Sequence, residues 1–162
     1  PYYYDHKTTG RPDPEPEKLS PFKTRYMTAP NSALFPFGHG LTYGRIEYGG
    51  LDIGDGRLPA DGALTVRATI SNRGSHAAEE VVQLYVHDRV ASITRPVQEL
   101  KDFRKIRLEP GASAQVEFTL RRADLLFIGQ DLKPTVEPGL FDVWVAPSAE
   151  VDGLHGTFEL LG

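Results

Sequence analysis

An all-β sandwich of about seven strands is the fold this sequence predicts. Three observations predict it. From residue 45 onward, apolar residues return at every second position in short runs, the period of a strand with one buried face. Clusters of Gly, Pro, Asn and Asp separate the runs, and each cluster is turn chemistry. No long stretch repeats at the helical period of 3.6 residues, and no internal repeat is visible.

Taken in order, "RIEYGGLDI" (45–53) sets Ile46 with Tyr48. Gly49-Gly50 intervene, and Leu51 and Ile53 resume at the opposite parity. A one-residue slip reverses every side chain, so a bulge at the glycines is expected. "LTVRATIS" places Leu64, Val66, Ala68 and Ile70 on one face and Thr65, Arg67, Thr69 and Ser71 on the other. "VVQLYVHD" puts Val82, Leu84 and Val86 together, with Gln83, Tyr85 and His87 opposite. In "QELKDFRKIRL", Leu100, Ile106 and Leu108 are in phase and Phe103 is not, which predicts a second bulge near Asp102. "AQVEFTL" sets Val116, Phe118 and Leu120 against Gln115, Glu117 and Thr119. "RRADLLF" (121–127) is the one stretch with a helical hint, and a single turn is expected there. "LFDVWVA" sets Phe141, Val143 and Val145 against Asp142 and Trp144, and "LHGTFEL" sets Leu154, Phe158 and Leu160 against His155, Thr157 and Glu159. Turn signals lie between the runs: "GDGRLPADG", "NRGSH", and "EPG" before Ala112 and before Leu140. Such alternation in short, evenly spaced strands reads as antiparallel sheets joined by Greek-key connections.

The 162 residues suit one domain, or one domain with a piece of another. A formal net charge of −4, with no cluster of Lys and Arg, argues against a nucleic-acid partner. There is no cysteine, which removes disulfides, thiol nucleophiles and thiolate metal sites and barely constrains the compartment. No apolar run approaches the roughly 18 residues of a membrane helix, so no membrane partner is expected. The chain opens on Pro1 with no signal-peptide pattern, and a fragment of a longer protein is expected. Residues 1–32 read as irregular. Pro12, Pro14, Pro16 and Pro21 remove backbone donors and push preceding residues out of the helical region. Tyr2, Tyr3, Tyr4, Phe22, Tyr26, Phe35 and Phe37 are too many aromatics for a free linker and call for a surface to cover.

Side chains with possible chemistry are few. Glu79 and Glu80 are adjacent, and neighbours on a strand point to opposite faces, so they cannot converge on one bond and are expected to be solvated. Asp5-His6 is half of an acid–base pair without a serine nucleophile motif, and a structural hydrogen bond is the expected role. His39 sits between Gly38 and Gly40, and His6, His76, His87 and His155 are scattered. That spacing is wrong for a metal site, and His39 is expected to be a turn residue. Tyr85 and Trp144 fall opposite the core positions. They are expected to cover a neighbouring domain or close the sandwich edge, with stacking on sugar rings as the alternative.

Several segments together resemble one family. "FPFGHGLTY" (35–43) is similar to the F/Y-P-F-G-x-G-L-S/T-Y motif of family 3 glycoside hydrolases of the bacterial β-glucosidase type. "YYYDHKTTGRP" resembles their Y-Y-N-H-x-x-T-G-R-P stretch. "SNRGSHAAEEVVQLYVHD" resembles N-x-G-x-x-x-G-x-E-V-V-Q-L-Y, and "TRPVQELKDFRKIRLEPGAS" resembles R-P-x-x-x-L-K-G-F-x-K-x-x-L-x-P-G-E. "EPGLFDVWVAPSA" resembles P-G-x-F-x-V-x-V-G-x-S-S. Three positions depart from the pattern: Asp5 for asparagine, Ala78 for glycine and Asp102 for glycine. Aspartate at 102 fits a left-handed φ, which it visits more readily than most residues.

The resemblance implies residues 1–44 as the end of an α/β-sandwich domain plus linker, and 45–162 as an immunoglobulin-type, fibronectin type III-like domain. It implies a parent enzyme that hydrolyses O-glycosidic bonds with retention, with its nucleophilic Asp on a barrel domain and its acid/base Glu on the α/β-sandwich domain, both before Pro1. The chain would then carry no catalytic residue, cofactor site or metal site. It would pack on the upstream catalytic domains, with Tyr2–Tyr4, Phe35 and Phe37 at that interface and "FPFGHGLTY" as a structural hinge. Arg11, in "TGRP", would help shape the rim of the cleft for an oligosaccharide or glycoside. The implied location is the periplasm or outside of a bacterial cell. A carbohydrate-binding module and a protein-interaction immunoglobulin-like domain are the alternatives.

Overall fold

A computed structural model describes residues 33–149 and 153–162. Its strands are β1 (Ile46–Asp52), β2 (Arg57–Leu58), β3 (Ala63–Asn72), β4 (Ala78–Asp88), β5 (Glu99–Leu108), β6 (Ser113–Arg121), β7 (Phe127–Ile128), β8 (Pro134–Thr135), β9 (Gly139–Ala146) and β10 (Leu154–Leu160). One sheet has the order β1-β3-β6 and the other β2-β10-β9-β4-β5, with β7-β8 as a separate hairpin. The β3–β6 and β4–β9 neighbours are far apart in sequence and make the crossovers of a Greek key. The seven strands of seven residues or more are those the alternation predicts.

The core lies between the sheets, on the predicted faces. Leu64, Val66, Ala68 and Ile70 of β3 and Val116, Phe118 and Leu120 of β6 face Val82, Leu84 and Val86 of β4. Phe141, Val143, Val145, Phe158 and Leu160 complete it from β9 and β10, with Phe141 and Phe158 stacked at 5.2 Å. The outer face of the three-stranded sheet is polar. Arg67 bridges Glu117 at 2.8 Å and Asp52 at 3.6 Å, and Arg73 bridges Glu47 at 3.2 Å.

Both bulges are present. The β1–β3 register shifts between Gly49 and Asp52, and Gly50 takes φ +61°, a conformation suited to glycine. On β5 the register shifts where Leu84 faces Asp102 and Tyr85 faces Leu100, so Lys101 is the extra residue. Asp102 is not left-handed, because among the described residues Leu132 alone, apart from glycines, has positive φ. Its carboxylate instead accepts from the Phe103 amide at 2.7 Å and from Arg104 at 2.6 Å. These bonds hold the bulge without the conformation the sequence suggested. The helical hint becomes one 3₁₀ turn, Arg122–Leu125. β2, β7 and β8 are too short for a period to register, and "GDGRLPADG" conceals β2, whose Leu58 is fully buried beside β10.

Candidate functional site

Segment 33–44 approaches the sandwich along the outer face of β4 and is fastened at two places. The first is Gln83. Its Nε2 donates to the Pro147 carbonyl and, at 3.5 Å, to the Gly38 carbonyl. Its Oε1 accepts from the Tyr85 hydroxyl at 2.6 Å. Gly38 has φ +81°, and a Cβ there would lie 2.4 Å from Gln83 Oε1. Glycine is therefore required for the chain to turn and come so close. The Ala149 amide adds a bond to the Phe37 carbonyl at 2.9 Å. The second place is Asn72, whose Oδ1 accepts from the Arg45 amide at 3.3 Å, while the Arg73 amide donates to the Arg45 carbonyl at 2.7 Å.

His39 lies in the turn, its amide donating to Pro36 at 2.9 Å and its ring 5.1 Å from that of Phe35. No group of metal-ligating side chains occurs among the described residues. Glu79 and Glu80 diverge. Glu79 points outward to Lys105 at 2.7 Å. Glu80 turns between the sheets, where it accepts from the Tyr48 hydroxyl at 2.6 Å, so it is half-buried rather than on a fully solvated face. Burial first, against the Tyr48 hydrogen bond, raises the Glu80 pKa above its ordinary range. A carboxyl with a folded-state pKa above its unfolded value opposes folding once it ionises. That penalty is absent below the unfolded pKa of about 4.3 and complete above the folded one. Glu80→Gln keeps an acceptor for Tyr48 and is expected to raise the unfolding midpoint at pH 7, with the gain vanishing toward pH 4 in parallel thermal melts.

Tyr85 is not an exposed aromatic: it is 1% exposed. The alternation places it outward correctly, but the loop after β4 folds back over that face. Pro96 accepts from His87 Nδ1 at 2.7 Å, and Gln98 donates to Ala149. Sugar stacking on Tyr85 is thereby removed. Trp144 is half-buried, with its ring 5.1 Å from His155. Beside it Arg89 forks onto Asp142 at 2.9 and 2.6 Å, and His155 Nε2 lies 2.7 Å from the same carboxylate. Arg89 foremost, and then His155, hold the Asp142 carboxyl below its usual range. This is a closed polar cluster with its charges matched. Arg11, Asp5, His6 and Tyr2–Tyr4 lie outside the described residues.

Sequence reasoning missed Gln83 and Asn72 as fasteners. Asn72 showed only as a polar residue before the turn at Gly74, and Gln83 only as a polar residue on the outer face of its strand; neither signal gave a partner.

Comparisons with known proteins fit this architecture. A family model described as a fibronectin type III-like domain matches residues 80–149. A periplasmic β-glucosidase of Salmonella typhimurium is 38% identical over 162 residues, which is 99% of this chain and 21% of the relative. A β-xylosidase of Formosa agariphila is 38% identical over 139 residues, 86% of this chain and 19% of the relative. The crystal structure of a β-glucosidase from Listeria innocua in complex with glucose superposes with a TM-score of 0.87 at 36% identity, covering 99% of this chain and 22% of that one. The chain thus spans about a fifth of the length of these relatives.

Proposed function

Because this chain belongs to the family 3 glycoside hydrolases, over a length matching their C-terminal part with its fibronectin type III-like domain, we propose that it is the non-catalytic structural domain of a retaining glycosidase. The parent enzyme would remove terminal β-linked glucose, or a similar sugar, from oligosaccharides or glycosides by double displacement. Its nucleophilic Asp and acid/base Glu would lie on the domains upstream, against which this domain packs and which it stabilises. Residues 1–44 would complete the α/β-sandwich domain and link it to the domain at 45–162. Arg11 would contribute to the rim of the substrate cleft, and an unchanged KM after Arg11→Ala in the whole enzyme would remove it from that role. The name of the Salmonella relative supports a periplasmic location, and no helix among the described residues is long and apolar enough to cross a membrane.

The observation that carries the proposal is coverage: similarity along 99% of this chain occupies 21% of a β-glucosidase. Glu79 and Glu80, held apart on Lys105 and Tyr48, support it too. A retaining mechanism needs two carboxyls about 5–5.5 Å apart across one bond. The test is hydrolysis of a nitrophenyl β-glucoside. The 162-residue chain is expected to give no turnover above buffer, and the polypeptide extended upstream to the length of its relatives is expected to be active. Turnover by the chain alone would overturn the proposal.

A further inference from the structure

The two outer faces of the sandwich differ, and the difference tells which one is covered. The outer face of β1-β3-β6 carries ion pairs and threonines, and none of the described large apolar residues that are exposed lies on it. Exposed apolar side chains of segment 33–44, β4 and β5 instead lie on the other sheet's side, while Val90, Leu126, Ile128, Leu132 and Leu140 are exposed elsewhere. Val81 and Gln83 share the outer face of β4, and their partners across the ladder on β5 are Lys105 and Phe103. Phe103 is 57% exposed and Val81 41%. Leu41 and Tyr43, 92% and 93% exposed, line with Val81 and Lys105 a groove of about 520 Å³. The Glu79–Lys105 pair forms a charged margin to this apolar ground. An apolar centre with a polar rim is the anatomy of a protein interface, and a contiguous exposed apolar patch marks an interaction site.

We infer that the outer face of β4 and β5, centred on Phe103 and Val81 together with Leu41 and Tyr43, is the surface on which the preceding domain of the same polypeptide docks. The inference rests on the proposed function and specifies where on the domain the contact falls. Two features select this occupant. Segment 33–44, the route by which the upstream chain arrives, runs onto this face and is fastened there through Gln83. About four-fifths of the length of the relatives lies beyond what this chain matches, so a large body is available to cover the patch. Phe103 is the residue the sequence leaves out of phase. A side chain on the outer face of a bulged strand is out of phase with the core because it serves the other side.

Phe103→Asp in the 162-residue chain and in the upstream-extended protein tests this. Leu140→Asp serves as a matched control, since Leu140 is 51% exposed at the far end of the same sheet. Phe103→Asp is expected to leave the midpoint of the short chain within about 1 °C and to lower that of the extended protein by about 3 °C or more. Leu140→Asp is expected to change neither. Three results would overturn the inference. One is an extended protein indifferent to Phe103→Asp. Another is a short chain destabilised by it as much as the extended one, which would place the occupant within residues 1–32. The third is a short chain whose mass is that of a dimer and falls to a monomer on substitution, which would make the occupant a second copy. Assaying the extended protein for glycosidase activity separates the two proposals: activity with no Phe103 effect fails the docking face alone, and a Phe103 effect without activity fails the enzymatic reading alone.

Discussion

Phe118→Ala is expected to cost about 4 kcal/mol of stability. Phe118 is fully buried at the middle of β6, opposite Val66 on β3. It projects into the layer that both sheets share, where the surrounding strands are fixed by their ladders and cannot collapse into the gap. Against a total stability of about 5–15 kcal/mol, that is about a quarter or more, and the thermal midpoint should fall by about 10 °C. Urea titration of the chain checks the value. Phe103→Ala supplies the contrast. Phe103 is mostly exposed in the same chain, and its truncation should stay within about 0.5 kcal/mol. Equal costs for the two phenylalanines would contradict the division into inner and outer faces.

Asn72→Ala is expected to cost about 3 kcal/mol. Asn72 is fully buried, and its amide makes four hydrogen bonds. Nδ2 donates to the carbonyls of His76 at 2.7 Å and Leu108 at 3.1 Å. Oδ1 accepts from Gly74 at 2.9 Å and Arg45 at 3.3 Å. That is the full capacity of a carboxamide, and alanine strands all four partners. Gly74 is part of the arrangement, since a Cβ there would sit 2.6 Å from the Arg45 nitrogen. Asn72→Asp adds a pH signature. Its second oxygen would face two carbonyl oxygens in a buried site, so its folded-state pKa would rise. The penalty would be absent below the unfolded pKa of about 3.9, would grow as pH rises from there toward the folded value, and would be complete above it. Urea midpoints should therefore diverge from wild type more at pH 7 than at pH 4, and a difference independent of pH would refute this account of Asn72.

The long strands were legible in the sequence because burial on one face writes itself as a period of two, and both bulges were legible as breaks in that period. Tyr85 shows the limit. Parity told which way it points, but not that the loop carrying Pro96 and Gln98 folds back onto His87 and Ala149 on that side. Asn72 shows another limit. "NRG" announced a turn, yet its amide reaches Arg45, 27 positions earlier, and no local pattern records a partner at that distance. β2 is invisible for a third reason: two residues cannot display periodicity, and its place is decided by β10. The surface around Phe103 was present in the sequence only as an irregularity, because exposure that serves an interface looks the same as a broken pattern.

Segment 33–44 is gripped at Gly38 by Gln83 and again at Arg45 by Asn72. A cable tied at one point swivels; a strut pinned at two keeps its bearing. Segment 33–44 therefore keeps a set heading relative to the sheets, and under the proposed function torque would pass through it between the sandwich and an upstream domain. On that proposal, heat should melt the upstream-extended protein in a single cooperative step, with the sandwich failing together with its neighbour.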